Sequence, residues 1–334
     1  MTEEAAGGEA GVVITEDRTE DPSSGAAPPD WFTAAMADRP ERGTLEVDGA
    51  RIATFAWGDR SAPTLVLVHG GAAHAGWWFA LAPGLAQEHR VVAVDLSGHG
   101  DSDWRETYRA EQWAEEILAA AAHAGGSGRP TVVGHSMGGF VTIVLAANHG
   151  AELAGAIVLD APVQRSDPES EEGRQGRMFR EPKTYPDLDT AVDHFHLVPP
   201  QPCDNPWLLD AVARDSLRPI DGGWRWKFDP RVFTAREGAT RMSDFSSQLA
   251  RAACRMALVN GEQSSIVDAD VRAHMRGLLA DAPAAQAGVP VVEVPQARHH
   301  LLLDQPLATI TAIRAVLAAW NPIGRPPAEV EPRH

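Results

Sequence analysis

Two hydrophobic rhythms alternate between residues 31 and 320. One is short and continuous: the runs at 64–68, 91–94, 131–133, 156–159, 256–259 and 291–294 consist almost wholly of Val, Leu, Ile, Ala, Met and Thr. Such runs fit strands covered on both faces, as parallel strands are. Two further segments, 45–47 and 51–55, flank Asp48-Gly49 and predict a hairpin. The other rhythm is helical, at roughly 78–87, 107–124, 138–149, 268–281 and 305–319. Strands alternating with helices predict an α/β fold, with a mostly parallel central sheet flanked by helices.

Three stretches fall outside this alternation. Residues 1–30 are acidic, rich in Gly, Ala, Ser and Pro, and without periodicity, which predicts a disordered tail. Residues 321–334 contain Pro322, Pro326, Pro327 and Pro332 and predict a second loose tail. Residues 162–250 lack a buried strand but hold Trp207, Trp224 and Trp226. They predict a helical cap inserted between two core segments, 31–161 and 251–320. A cap over the carboxyl ends of the strands would wall the place where open α/β sheets bind ligands.

The formal net charge of −17 argues against nucleic acid and against an anionic membrane surface, both of which require clustered Lys and Arg. Residues 1–30 alone carry eight acids and one base, so much of the charge is local. Cys203 and Cys254 are the two cysteines, which excludes a disulfide framework. The beginning, Met1-Thr2-Glu3-Glu4, has no basic region followed by an apolar run, and no stretch approaches the ~18 apolar residues of a membrane span. A cytoplasmic protein acting on a small molecule is the expectation, with no nucleic acid or membrane partner.

The chemistry centres on Gly134-His135-Ser136-Met137-Gly138-Gly139, which follows the run at 131–133 and precedes the helical segment from 138. A bare Gly-x-Ser-x-Gly is as readily a glycine-rich turn with an incidental serine. Between a strand and a helix it reads as a nucleophile elbow. Gly134 and Gly138 remove side chains that would collide where strand and helix cross, and Ser136 projects at a helix N-terminus whose dipole favours developing negative charge.

With this elbow the chain resembles the α/β-hydrolase superfamily from about residue 44 to 320, and particularly its single-domain serine esterase and lactonase-like members with a helical cap. Three further segments occur in that family's order: Val68-His69-Gly70-Gly71, the turn Asp95-Leu96-Ser97-Gly98-His99-Gly100-Asp101-Ser102, and Ala297-Arg298-His299-His300 leading to Pro306. The resemblance implies an oxyanion hole formed by the backbone amides of Gly71 and Met137. It assigns the general base to His299, because the family's histidine stands seven positions before the loop proline, here Pro306. His300 is then a packed neighbour, His69 a residue that shapes its loop, and Asp95 and Ser102 turn formers.

The acid departs from the commonest family pattern. Its usual position, after the strand ending at Val259, is held here by Ser264, which has no charge. A second family location lies at the end of the strand 156–159, where this chain has Asp160. Asp160 is the first candidate, with Glu262 and Asp268 as alternatives.

Ser136, Asp160 and His299 imply hydrolysis of a carboxylic ester or lactone of a small to medium apolar substrate through an acyl-enzyme. A serine, rather than an aspartate, at the elbow speaks against alkyl-enzyme chemistry. Hydrolysis of a carbon–carbon bond in a diketone is an alternative, and a non-catalytic binding protein on the same fold is a reading of a different class. No cofactor is implied, and no His-Glu-x-x-His or comparable spacing implies a metal.

Overall fold

The continuous apolar runs become the centre of one sheet. A computed structural model describes residues 27–163, 183–234, 242–283 and 288–320. The expected tails therefore lie outside the described residues, except for 27–30. Helix α1 (Asp30–Ala37) leads into β1 (Glu41–Val47), β2 (Ala50–Trp57) and β3 (Pro63–Val68). Helix α2 (Ala82–Leu85), β4 (Arg90–Val94), α3 (Ala110–Ala124), β5 (Ser127–His135), α4 (Met137–Asn148) and β6 (Gly155–Leu159) follow. An insertion then carries α5 (Leu188–Val192), α6 (Pro206–Asp215), β7 (Leu217–Ile220), β8 (Gly223–Trp226), α7 (Arg231–Thr234) and α8 (Met242–Leu249). The chain returns with β9 (Met256–Gly261), α9 (Ala269–Ala280), β10 (Val291–Val294), α10 (Leu301–Asp304) and α11 (Pro306–Trp320).

Among the described residues the main sheet has eight strands in the order β1-β2-β4-β3-β5-β6-β9-β10. Neighbours from β4 to β10 run parallel, and β1 and β2 form an antiparallel margin. The β1–β2 turn is the expected one: Asp48 and Gly49 both have positive φ, 47° and 73°, as a two-residue primed turn demands. Strand alternation sorts the core into two faces. Val66, Val68, Val92, Val94, Val132 and Val158 pack with α3 and α4. Leu65, Leu67, Val91, Ala93, Ile157 and Val259 pack with α2 and α11 on the other side.

The insertion contains helices and, in addition, the antiparallel pair β7–β8, which the helical reading of 162–250 did not include. Each of these strands has only four residues, largely half-buried, and Trp224-Arg225-Trp226 offers no continuous apolar run. Hydrogen bonds tie the insertion to loops at the carboxyl ends of the strands. The amide of Gly100 donates to the Lys227 carbonyl at 2.7 Å, and that of Asp229 to the Gly98 carbonyl at 2.8 Å. On the other side Gln201 accepts from the His300 amide and donates to Asp304, while Asn205 donates to the Leu303 carbonyl.

Candidate active site

Parallel β5 and β6 pair through His135 and Leu159, and β6 pairs with β9 through Leu159 and Val259. The residue following each strand is thus delivered to one edge of the sheet. Ser136 follows β5 with φ 53° and ψ −118°, a strained geometry for a residue with a side chain, and caps the start of α4. Close packing holds it there. A methyl group on Gly134 would collide with the Gly138 carbonyl oxygen and Thr142 Oγ1, and one on Gly138 would lie 2.7 Å from the Val68 carbonyl oxygen. Asp160 follows β6 and is also strained, with φ 46°.

These positions converge. His299 Nε2 lies 3.1 Å from Ser136 Oγ, and His299 Nδ1 lies 2.8 Å from Asp160 Oδ2. A carboxylate can only accept, so Nδ1 carries the proton and Nε2 presents its lone pair to the serine hydroxyl. Asp160 is fully buried and His299 is 2% exposed, whereas Ser136 is half-buried and within reach of solvent. The carboxylate is well satisfied: Gly261 donates its amide to Oδ1 at 3.0 Å, and Ser264 donates its hydroxyl to Oδ2 at 2.7 Å. The sequence reading sets Ser264 aside for want of charge, yet here it touches the carboxylate oxygen that faces the imidazole.

The alternative acids are engaged elsewhere. Asp268 caps α9 by accepting from the Val271 amide at 2.8 Å. Glu262 accepts from the Gln296 amide at 2.8 Å. Gly71 packs against Met137: a methyl group on it would lie 3.8 Å from Met137 Cβ and 3.0 Å from the Phe233 ring. Met137 is the first residue of α4, so its amide has no partner one turn earlier in the helix. His69 shapes its loop, donating from Nδ1 to the Gly70 carbonyl at 2.7 Å and accepting at Nε2 from the Leu96 amide at 3.1 Å. Asp95 accepts from the amides of Ala75 and Asp101, and the Ser102 hydroxyl donates to the Asp95 carbonyl, as turn formers would.

Two more imidazoles crowd His299. The His135 ring centroid is 4.9 Å away and that of His300 is 4.6 Å away. Burial holds both neutral, lowering His135 to about 3 and His300 well below the ordinary histidine range; the charge of a protonated His299 would add to that effect.

A serine raised at a strand-to-helix elbow, backed by an imidazole and a carboxylate from neighbouring strand ends of a mostly parallel sheet, defines a hydrolase-fold enzyme. The chain belongs to the alpha/beta hydrolase family, which its residues 65–312 match. It is 30% identical over 279 residues to Esterase Rv0045c of Mycobacterium tuberculosis, covering 81% of this chain and 88% of that protein. It is 27% identical over 273 residues to 2-(acetamidomethylene)succinate hydrolase of Mesorhizobium japonicum, covering 80% and 92%. A crystal structure of E-2-(acetamidomethylene)succinate hydrolase superposes with a TM-score of 0.70 at 23% identity, covering 83% of this chain and 99% of the other, and so shares the fold. No helix among the described residues is long and apolar enough to cross a membrane.

Proposed function

We propose that the protein is a serine esterase acting on carboxylic esters or lactones, with Ser136, His299 and Asp160 as its catalytic triad. The observation that carries this reading is the run of contacts from Ser136 Oγ to His299 Nε2 at 3.1 Å and from His299 Nδ1 to Asp160 Oδ2 at 2.8 Å. His299 takes the serine proton as Oγ attacks the carbonyl carbon, and Asp160 holds the imidazolium that results. The carbonyl oxygen, now negative, receives the amides of Gly71 and Met137, each such donor being worth about 3 kcal/mol in comparable enzymes. The imidazolium gives its proton to the leaving alkoxide. Water, deprotonated by the same imidazole, then attacks the acyl carbon and restores the serine.

The insertion acts in this reading as a cap over the site. Phe233, against Gly71, favours an apolar acyl or alcohol group of small to medium size. The similarity to 2-(acetamidomethylene)succinate hydrolase supports a second reading, hydrolysis of a small acid that carries an acetamido group.

A panel of p-nitrophenyl esters, lactones, β-diketones and an N-acetylated enamide tests both readings. The expected outcome is turnover of short aryl esters that Ser136→Ala lowers by about 10⁴-fold or more. Ester turnover that survives this substitution refutes the assignment.

A further inference from the structure

His135 has no part in the proposed proton transfers, and His300 has none either, yet both are buried beside His299. The three residues are 1%, 4% and 2% exposed for His135, His300 and His299. Each offers a ring nitrogen, and these three atoms lie within 4.8 Å of one another. Among the described residues, His135 Nδ1 and both nitrogens of His300 have no hydrogen-bond partner. The carbonyls of Pro199 and Val198 lie near enough to favour a proton on His300, but outside hydrogen-bond geometry. Buried imidazole nitrogens left in this state are costly, and a ligand that takes their lone pairs relieves the cost.

The outer contacts resemble those of metal-binding histidines. His135 Nε2 lies 2.9 Å from the His299 carbonyl oxygen and must donate to it, which leaves the lone pair on Nδ1. His299 Nδ1 donates to the Asp160 carboxylate, which leaves the lone pair on Nε2. A carbonyl or carboxylate behind the ring is the arrangement that fixes the tautomer and raises the basicity of a metal-binding imidazole. Gly70 borders the cluster closely: a methyl group there would lie 3.3 Å from His135 Nδ1 and 3.3 Å from Ser136 Cβ, so any side chain at this position would crowd the imidazoles. Metal–nitrogen bonds of about 2.0–2.1 Å in a tetrahedral site bring ligand nitrogens to roughly 3.3 Å apart, against one ring nitrogen of each residue already within 4.8 Å of the others.

We propose that His135, His299 and His300 bind one borderline-soft divalent cation of the zinc, cobalt or copper type, and that this ion reversibly inhibits the hydrolase. Three imidazole nitrogens select such ions over Mg²⁺ and Ca²⁺, which take oxygen ligands. The inhibition has a simple origin. The metal occupies the Nε2 lone pair of His299, the one that otherwise receives the Ser136 proton, so bound metal and an activated serine exclude each other. The effect on turnover rests on the reading of His299 as general base; the binding itself does not.

The full chain, stripped with a chelator, is titrated with Co²⁺ by visible absorption and with Zn²⁺ by calorimetry. One ion per chain is expected, with the Co²⁺ spectrum of a four- or five-coordinate nitrogen site, and Zn²⁺ inhibition of ester turnover that chelator reverses. His300→Phe should weaken both metals by at least about tenfold, since losing even an outer partner of a metal-binding histidine costs roughly 10–100-fold. Measured against its own rate in chelator, His300→Phe no longer responds to Zn²⁺. His300→Gln repeats the test if the phenylalanine variant misfolds. Ser136→Ala should bind Co²⁺ as the parent does, so a parent without esterase activity refutes the proposed function and still leaves the metal site testable. Unchanged metal affinity in the His300 variants, a six-coordinate oxygen-type Co²⁺ spectrum or no binding overturns the site. Binding as described with unaffected turnover overturns the inhibition.

Discussion

Three donors converge on the two oxygens of Asp160, and one of them is a hydroxyl at the position where the family more often has its acid. In the proposed triad Ser264 is a positioning residue: its contact with Oδ2, at 2.7 Å, draws electron density from the oxygen that also faces His299. Its hydroxyl also accepts from the Val267 amide at 3.1 Å, so the loop after β9 is folded around it. A hydrogen bond to a charged group is worth about 1.5–3 kcal/mol. The same contact fixes the carboxylate's orientation towards His299 Nδ1, and losing that orientation costs turnover even though the freed oxygen is the more basic. Ser264→Ala should lower kcat by about tenfold with KM little changed. The freed carboxylate oxygen becomes more basic and stabilises protonated His299, so the acid limb of the kcat/KM profile moves to higher pH. A lower melting temperature with an unmoved acid limb would reduce Ser264 to a loop-forming role.

At the scale of elements, the elbow depends on how closely β5, β3 and α4 approach one another. Glycines with different surroundings make this measurable. A methyl group on Gly138 would meet backbone on two sides, the carbonyl oxygens of His69 at 2.5 Å and Val68 at 2.7 Å, and neither can give way without moving β3. Gly277, within α9, has nothing within 4 Å of the same added atom. Gly138→Ala is therefore expected to destabilise the fold by about 2–3 kcal/mol, the cost of overpacking. Gly277→Ala should stabilise it by about 1 kcal/mol through helix propensity alone. Urea denaturation of both variants checks the pair, and equal effects would contradict the packing argument.

The same elements show what the sequence could disclose. Strands buried on both faces leave uninterrupted apolar runs, and β10 has the bounds, 291–294, that its run suggests. Asp48-Gly49 marks its turn because few other residues accept two successive positive φ angles. The β7–β8 pair left no such trace, since its four-residue strands mix tryptophan with arginine and are largely half-buried. In the site, the motifs single out Ser136 and His299, whose side chains the structure brings to 3.1 Å. The meeting of Asp160 with Ser264 needs the spatial neighbourhood of β6 and β9, which are separated in the chain by the whole insertion. The company of His135 with His299 and His300 likewise crosses over 160 positions, as the hydrogen bond from His135 to His299 shows.

For the molecule as a whole, the unusual feature is how many imidazoles it buries. His69, His74, His99, His135 and His300 are at most 4% exposed. Burial brings His74 and His99 down to about 4 and His135 to about 3, and drives His69 and His300 well below the ordinary range. A histidine held neutral in the fold contributes stability that is full above its unfolded value near 6.5. That stability is lost as the pH falls, because only the unfolded chain then takes up the proton. One unit below 6.5 the loss is about 1.4 kcal/mol for each such imidazole. Asp95 works in the opposite sense. Burial pushes it up to about 7, so its neutral form favours the fold at low pH and that contribution fades as the pH rises towards 7. It offsets only about 2 kcal/mol of the histidine loss between pH 7.5 and 5.5. Five imidazoles against one strongly raised carboxylate leave a net loss of several kcal/mol on acidification, a large fraction of the ~5–15 kcal/mol that holds a typical domain. The urea midpoint, measured in chelator so that bound metal does not stabilise the histidine cluster, should therefore fall steeply between pH 7.5 and 5.5. His74→Gln removes one of the five imidazoles and should recover about 1.4 kcal/mol of that fall. A midpoint that stays level over this range would mean that the buried imidazoles are charged or solvated in the fold, and the neutral cluster around His299 would have to be abandoned with them.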